Sequence, residues 1–192
     1  LERNPLDLQL CYPWLISSEE AVELAKRGEA AAFAVDKRIT NSEGASVYAQ
    51  QSHFVSANSR GFIGGYPYSR HTISVAPIAG KGNNMQRDDW YSSMRDPKKL
   101  AKPEAVGQYA AQRALARLNA RKLDTRKCPV LFEAPLAAGL LGAFVQAVSG
   151  GALYRKSTFL LDSLGKAAFA PHVQIVEDPH AVSYTHLRAH ET

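Results

Sequence analysis

The sequence predicts an α+β fold in which an antiparallel β-meander packs with helices in two layers. Three observations indicate this class: an Ala-rich helical pattern comes first, short β-branched and aromatic segments follow, and helical patterns then return. Strands that cluster before helices favour α+β over a doubly wound parallel sheet, in which strands and helices alternate. With 192 residues, of which 45% are hydrophobic and 21% charged, the chain can bury a core.

The first helix is predicted to begin after Ser17 and to continue to about Val35. Ser17 and Glu20 have the spacing of a capping box, in which each side chain accepts a hydrogen bond from the other residue's backbone N–H. Gly28 is predicted to be the weak point of this helix, because glycine loses more conformational entropy than alanine there.

Four short antiparallel strands are predicted next, because these segments are rich in β-branched and aromatic residues and are bounded by turn residues. They lie at residues 45–50, 52–59, 70–79 and 85–94. Glycines at positions 61, 64 and 65 loosen the connection between the second strand and the third.

A second helix is predicted over residues 102–120, with Pro103 in its first turn, where the N–H that proline lacks would be unpaired anyway. Its predicted inward face consists of Val106, Tyr109, Leu115 and Leu118. A buried strand, a short helix and a last strand are predicted at residues 128–134, 158–165 and 172–178. Between the buried strand and the short helix, another helix is predicted to start near Pro135 and to stop at Gly150 and Gly151.

Composition and charge argue against membrane and nucleic-acid functions. No apolar run approaches the roughly 20 residues that a membrane-spanning helix needs. The net charge is +5, but the basic residues are scattered along the chain. Cys11 and Cys128 are isolated, so we interpret them as buried or neutral thiols in a reducing cytosol. The chain begins with Leu1 rather than Met, which indicates part of a longer protein.

The segment GGALYRKS, at residues 150–157, is close to the phosphate-binding pattern G-x-x-x-x-G-K-S. Arg155 stands where the second glycine should be, and a bulky side chain there disturbs the turn that wraps a phosphate. The segment also follows a predicted helix, whereas a phosphate-binding loop follows a strand. We therefore expect no nucleotide binding by this route.

Nucleophilic and carboxylate catalysis also lack their patterns. Ser149 is not part of a G-x-S-x-G turn, because Ala147 occupies the position of the first glycine. Asp88 and Asp89 are adjacent in a predicted strand and would point to opposite faces, so we expect no catalytic carboxylate pair. One of them is expected to pair with Arg87 or with solvent.

Metal binding would need about three protein ligands close together. Four histidines are isolated in sequence and are predicted to be surface or turn residues: His53, His71, His172 and His180. His186 and His190 have a helical metal-ligand spacing. They lie in residues 181–192, which are predicted to be a non-native tail because VSYTHLRAHET reads like translated adapter sequence. No metal site is predicted from them.

Several long segments carry a family resemblance that covers roughly residues 2–180. They are ITNSEGASV, NSRGFIGGY, MQRDDWYSSMRDP, AVGQYAAQRALARLNARK, PVLFEAPLAAGLLGAFVQAVSGGALYRKSTFLLDSLG and EDPH. Together they resemble the PmbA/TldE branch of the TldD/PmbA family. The resemblance implies a cytoplasmic, heterodimeric zinc metalloprotease that degrades unfolded peptides and trims the leaders of some modified peptides. It also implies a historical association with DNA gyrase and toxin–antitoxin modulation.

In this family the TldD-type subunit holds its metal with H-E-x-x-x-H on a helix. When GLLGAFVQAVSGG is laid on that helix, Gly142 falls at the first His, Ala143 at the Glu and Ala147 at the second His. The resemblance therefore implies that this chain has no catalytic residue and binds no cofactor or metal of its own. Zinc is expected in the partner subunit.

We therefore expect a non-catalytic PmbA/TldE-like subunit whose partners are a TldD-type protease subunit and the peptide substrate, without membrane or nucleic acid. One alternative is a stand-alone adaptor linked to DNA gyrase or toxin–antitoxin modulation. Another is an independent hydrolase with unrecognised ligands.

The predicted domain organisation has four parts. Residues 1–15 end a truncated N-terminal region, and residues 16–128 hold the first helix, the meander and the second helix. Residues 129–180 begin the next domain with the degenerate zinc helix, and residues 181–192 are the non-native tail.

Overall fold

A computed structural model describes residues 7–178 and divides the chain into two compact units between Leu123 and Asp124. The helices and strands are α1 (Ser18–Phe33), β1 (Ile39–Ala57), β2 (Ile63–Ala79), β3 (Gln86–Arg87), β4 (Trp90–Met94), α2 (Pro103–Ala116), α3 (Ala134–Val148) and α4 (Gly150–Tyr154). The predicted non-native tail and His180 lie outside the described residues.

Helix α1 begins where the capping box predicts. The Ser17 N–H donates to Glu20 Oε2 at 2.9 Å, and the Glu20 N–H donates to Ser17 Oγ at 3.1 Å. These two bonds satisfy backbone donors that would otherwise have no partner at the helix start.

Within residues 7–178 the sheet has four antiparallel strands: β1 and β2 form a long hairpin, and β3 and β4 both pair with β2. The predicted strands 45–50 and 52–59 are one strand, because Gln51 pairs with Ser69 and continues the ladder without a turn. The predicted strand 85–94 is instead two strands, separated at Asp88 and Asp89.

The core of the first unit lies between one face of the sheet and the helices α1 and α2. Every second residue of β2 from Ser69 onward is buried: Ser69, His71, Ile73, Val75, Pro77 and Ala79. This alternation is the period of a strand with one covered face. The predicted α+β class, with an antiparallel sheet and helices in two layers, is confirmed.

Helices α1 and α2 approach each other most closely at two glycines. A Cβ atom on Gly107 would overlap the carbonyl oxygen of Gly28, and a Cβ atom on Gly28 would lie 3.0 Å from Val75 Cγ2. Helix α1 runs unbroken through this contact, and the weak point expected at Gly28 stays a prediction. Close packing of the two backbones offsets the intrinsic cost of glycine in a helix.

The buried face of α2 consists of smaller residues than predicted. Val106 is buried, but Tyr109 is 42% exposed, and Leu115 and Leu118 are only partly buried. The buried positions are otherwise Pro103, Gly107, Ala110, Ala111 and Ala114. At Gly107 a side chain is excluded because the Gly28 carbonyl of α1 lies against it.

The second unit contains α3 and α4, with Pro135 in the first turn of α3 as predicted. The glycine pair does not stop α3, because Ser149 already ends it in an extended conformation. Ser149 then caps α4, and its Oγ accepts a hydrogen bond from the Ala152 N–H at 3.3 Å. Gly150 and Gly151 are the first residues of α4.

Three other predictions for this unit are wrong. Residues 128–133 and 172–178 form no strand, and residues 158–165 form turns rather than a helix. A strand needs a neighbour for its backbone hydrogen bonds, and no segment within residues 7–178 pairs with either one. Left-handed backbone conformations at Asp162 (φ 54°) and Gly165 (φ 78°) prevent a continuous helix at 158–165.

Candidate functional site

The family-equivalent metal positions lie on α3 and carry no donor group. Gly142 and Ala143 are exposed, whereas Ala147 is 8% exposed and counts as buried. All three positions lie within α3, which is uninterrupted from Ala134 to Val148.

The donor chemistry of the described residues does not fit a zinc ion. Zinc is held by imidazole, thiolate or carboxylate groups, and the sequence of α3, APLAAGLLGAFVQAV, contains none of them. Across residues 7–178, no three or more His, Cys, Asp and Glu side chains are grouped closely enough to hold a metal. No catalytic step through a metal can be derived from these residues.

The histidines occupy two different environments. His53 and His172 are exposed, but His71 is fully buried on the core face of β2, so its prediction as a surface histidine is wrong. Its Nε2 lies 2.8 Å from the Tyr12 carbonyl oxygen, and its ring meets Trp14 edge-on at 5.4 Å between centroids. Because a carbonyl oxygen can only accept, Nε2 carries a hydrogen and donates a hydrogen bond to that carbonyl.

Ser69, beside His71, holds the same N-terminal segment. The Ser69 N–H donates to the Leu10 carbonyl at 3.1 Å, and the Tyr12 N–H donates to Ser69 Oγ at 2.8 Å. Ser69 Oγ in turn donates to the Arg95 carbonyl at 2.9 Å. These bonds satisfy buried polar groups and fix the segment before α1 against β2, which is a structural role.

Asp88 and Asp89 lie in the link between β3 and β4 rather than within a strand. The Asp88 carboxylate pairs with Arg113 at 3.4 Å and with Arg117 at 3.6 Å. Arg87 pairs with Glu43 at 2.6 Å, and Asp89 is exposed to solvent, which is the second of the two expected alternatives. Asp88 therefore ties α2 to the sheet.

An aromatic cluster supports this tie. The Arg113 guanidinium lies 5.1 Å from the centre of the Trp90 ring, and Trp90 meets Tyr109 at 4.7 Å between centroids. A cation over an indole face is a favourable contact. Tyr109 thus contributes to packing at the rim of the core instead of its interior.

The remaining candidates do not form a site. Residues 150–157 form α4 and a turn at Lys156 (φ 54°), which closes with a bond from the Ser157 N–H to the Ala152 carbonyl at 3.0 Å. This is not the loop that surrounds a phosphate. Cys11 is half-buried and Cys128 is exposed, and both are free thiols. Of the two alternatives predicted for the cysteines, buried or neutral thiols, burial does not apply to Cys128.

The sequence analysis missed a two-stranded extension of the hairpin, residues 50–70, which we call the β-arm. Strands β3 and β4 pair only with residues 71–79 of β2, so the β-arm has two strands where the rest of the sheet has more. Its tip is a turn in which the Asn58 N–H donates to the Phe62 carbonyl at 2.9 Å and Gly61 has φ 82°.

The β-arm exposes apolar side chains on both faces. Phe54 and Tyr66 are each 49% exposed and lie 5.5 Å apart between ring centroids on one face. Val55 and Ile63, on the opposite face, are 60% and 76% exposed. Isolated two-stranded ribbons are marginally stable in water, and exposed apolar patches mark interaction surfaces. The β-arm is therefore the candidate interaction site of the first unit.

Sequence comparison defines the class of this protein as metallopeptidase-related. Residues 11–118 match the PmbA/TldA metallopeptidase central domain, and residues 125–189 match the PmbA/TldA metallopeptidase C-terminal domain. The chain belongs to the PmbA/TldA metallopeptidase family, which confirms the resemblance seen in its motifs.

Two metalloprotease relatives share substantial sequence identity with this chain over most of its length. Metalloprotease PmbA of Escherichia coli O157:H7 is 47% identical over 174 residues, which cover 91% of this chain and 39% of the relative. A Metalloprotease PmbA homolog of Haemophilus influenzae is 41% identical over 174 residues, with the same coverage of 91% and 39%. The chain therefore spans 39% of the length of these relatives.

Solved structures share the fold. A proposed modulator of DNA gyrase from Bacteroides thetaiotaomicron superposes with a TM-score of 0.78 at 25% identity, over 86% of this chain and 38% of that protein. Another from Thermotoga maritima superposes with a TM-score of 0.70 at 22% identity, over 79% and 35%. Within residues 7–178, no helix has the length and apolar character to span a bilayer.

Proposed function

We propose that this chain is the PmbA/TldE-type, non-catalytic subunit of a heterodimeric zinc metalloprotease, or part of it. It would act in the cytoplasm on unfolded peptides or peptide leaders, together with a TldD-type subunit. The observation that carries the proposal is the helix α3, which has no donor group at Gly142, Ala143 or Ala147. A family member without metal ligands on this helix is suited to binding a partner that has them.

The exposed apolar surface of α3 supports a role in assembly. Several large side chains on this helix are well exposed: Leu136, Leu140, Val145 and Val148. A helix that is apolar all round is normally buried in a core or an interface. We propose that α3 is covered in the assembled protease.

The roles proposed for the two subunits follow from the metal-binding groups that each one carries. The zinc ion of the TldD-type subunit would activate water and polarise the peptide carbonyl. The residues of this chain would hold the partner and help to enclose its active site, because they offer neither a metal ligand nor a general base on α3.

Co-purification tests the pairing. The 192-residue chain, carrying His186→Ala and His190→Ala to remove the tail imidazoles, would be mixed with a TldD-type subunit. We expect a stable complex, zinc only when the TldD-type subunit is present, and faster peptide hydrolysis than with that subunit alone. Failure to bind and to increase hydrolysis would refute the proposal, and stoichiometric zinc in the isolated chain would favour an independent hydrolase.

The second candidate function is a stand-alone adaptor linked to DNA gyrase or toxin–antitoxin modulation. It is favoured by the similarity to two structures described as proposed modulators of DNA gyrase. This function predicts that the chain binds gyrase, or an antitoxin, with undiminished affinity when no protease subunit is present. A gyrase or antitoxin pulldown with the purified chain separates it from the first proposal.

A further inference from the structure

Residues 45–57 of β1 are nearly symmetric about Gln51. The segment reads ASVYAQQSHFVSA. Counting outward from Gln51, four of the six matching pairs hold the same or similar residues: Ser46 and Ser56, Val47 and Val55, Tyr48 and Phe54, Ala45 and Ala57. The other two pairs are Gln50 with Ser52 and Ala49 with His53. The segment also contains no Lys, Arg, Asp, Glu, Pro or Gly.

One side of β1 is an open edge of the sheet, because among the described strands it pairs only with β2. The bond from the Asn58 N–H to the Phe62 carbonyl shows that even-numbered residues of the β-arm bond across the hairpin. Odd-numbered residues therefore direct their N–H and C=O groups away from it. The Ser69 N–H, which bonds the Leu10 carbonyl outside the hairpin, confirms this alternation.

The two edges of the β-arm differ in how well they are protected against pairing with another strand. On the β2 edge, Pro67 is an odd-numbered residue and has no N–H to offer, and Ser69 is already bonded to Leu10. Proteins commonly protect sheet edges against pairing with prolines and charged side chains. From Ala45 to Ala57 the β1 edge has neither, so it is the less protected of the two edges.

We propose that β1 pairs antiparallel with β1 of a second copy of this chain, with the two-fold axis at Gln51. In this register the odd-numbered residues form the hydrogen-bonded pairs, which agrees with the direction of their backbone groups. Tyr48 of one copy lies opposite Phe54 of the other, and Val47 lies opposite Val55. Aromatic and β-branched pairs stabilise cross-strand contacts, and no like charges meet.

A second copy fits this edge better than an unrelated strand does, because a symmetric dimer requires a self-complementary surface. The near-symmetry of residues 45–57 supplies it in a single register. The proposal goes beyond the pairing with a TldD-type subunit and does not depend on it.

The apolar area that the contact buries indicates how tightly the two copies bind. Tyr48 and Phe54 are 63% and 49% exposed, and Val55 is 60% exposed. An aromatic side chain offers roughly 200 Å², so these groups supply on the order of 300 Å² of apolar area per copy. This is below the roughly 800 Å² per partner of a stable interface, so the dimer is expected to be weak and dependent on concentration.

Sedimentation equilibrium of the whole chain tests the proposal. We expect the 21.0 kDa chain to approach twice that mass as its concentration rises toward about 100 μM, where a micromolar dimer is well populated. Gln51→Lys places two ammonium groups opposite each other at the axis and should keep the chain monomeric. An equal mixture of Gln51→Lys and Gln51→Glu should dimerise again, because opposite charges then meet.

Gln50→Lys is the matched control, because Gln50 is also exposed and would face Ser52 rather than its own copy. It should dimerise like the unmodified chain. Circular dichroism and tryptophan fluorescence confirm that each variant is folded. A monomer at every concentration, a folded Gln51→Lys dimer, a monomeric Gln50→Lys chain, or a mixture that stays monomeric would each overturn the proposal.

Discussion

The glycine contact between α1 and α2 makes a sharp prediction about stability. In Gly107→Ala, the new Cβ would overlap the Gly28 carbonyl oxygen, and this oxygen is backbone that cannot rotate away. Overpacking of a core typically costs about 1–3 kcal/mol, and a collision with backbone belongs at the upper end. Alanine regains about 1 kcal/mol through its helix propensity. We therefore expect a net loss of about 2 kcal/mol from the free energy of unfolding.

Urea unfolding followed by tryptophan fluorescence measures this loss. The chain has two tryptophans, Trp14 and Trp90, and both belong to the first unit, so the signal reports that unit. Gly139→Ala is the matched control, because a Cβ there meets nothing within 4 Å and Gly139 lies in the second unit. It should leave the tryptophan-detected midpoint unchanged and increase helicity. A Gly107→Ala chain as stable as the original would refute the close-packing argument.

Three further predictions concern the first unit. Ser17→Ala removes the capping box and should lower the free energy of unfolding by about 1 kcal/mol in the same urea assay, whereas an unchanged midpoint would contradict the cap. The side-chain hydrogen bond from Arg38 lowers the pKa of Asp36 from 3.8 to about 2. The stability from this pair is present above pH 3.8 and is lost as the pH falls through about 2; in Arg38→Gln, an NMR titration should show the Asp36 pKa rising toward 3.8. Ser69→Ala leaves the Tyr12 N–H without its acceptor and should cost about 1–3 kcal/mol, with faster amide exchange at Tyr12 and no change expected in α3.

Local signals predicted the starts of the helices well. Ser17 with Glu20, Pro103 and Pro135 each act through backbone conformation or hydrogen bonds within one turn, and α1, α2 and α3 begin beside them. Such effects need no information about distant parts of the chain. The empty donor positions on α3 are likewise a property of the residues themselves.

Signals that depend on distant partners were less reliable. The apolar segment at 128–134 has the composition of a strand, yet Leu131 is 98% exposed and no strand forms there, because pairing needs a second segment. His71 resembles the other isolated histidines in sequence, but its position on the covered face of β2 buries it. Burial is decided by what packs against a residue.

The sequence by itself determined the α+β class, the helix starts, the family and the lack of metal donors on α3. Residue identity and local backbone preference are sufficient for each of these. Only the tertiary structure decided that Gly28 is a packing contact, that residues 45–57 form one open edge, and that Asp88 ties α2 to the sheet. These features arise where segments distant in sequence come into contact, and a local sequence pattern does not predict such contacts.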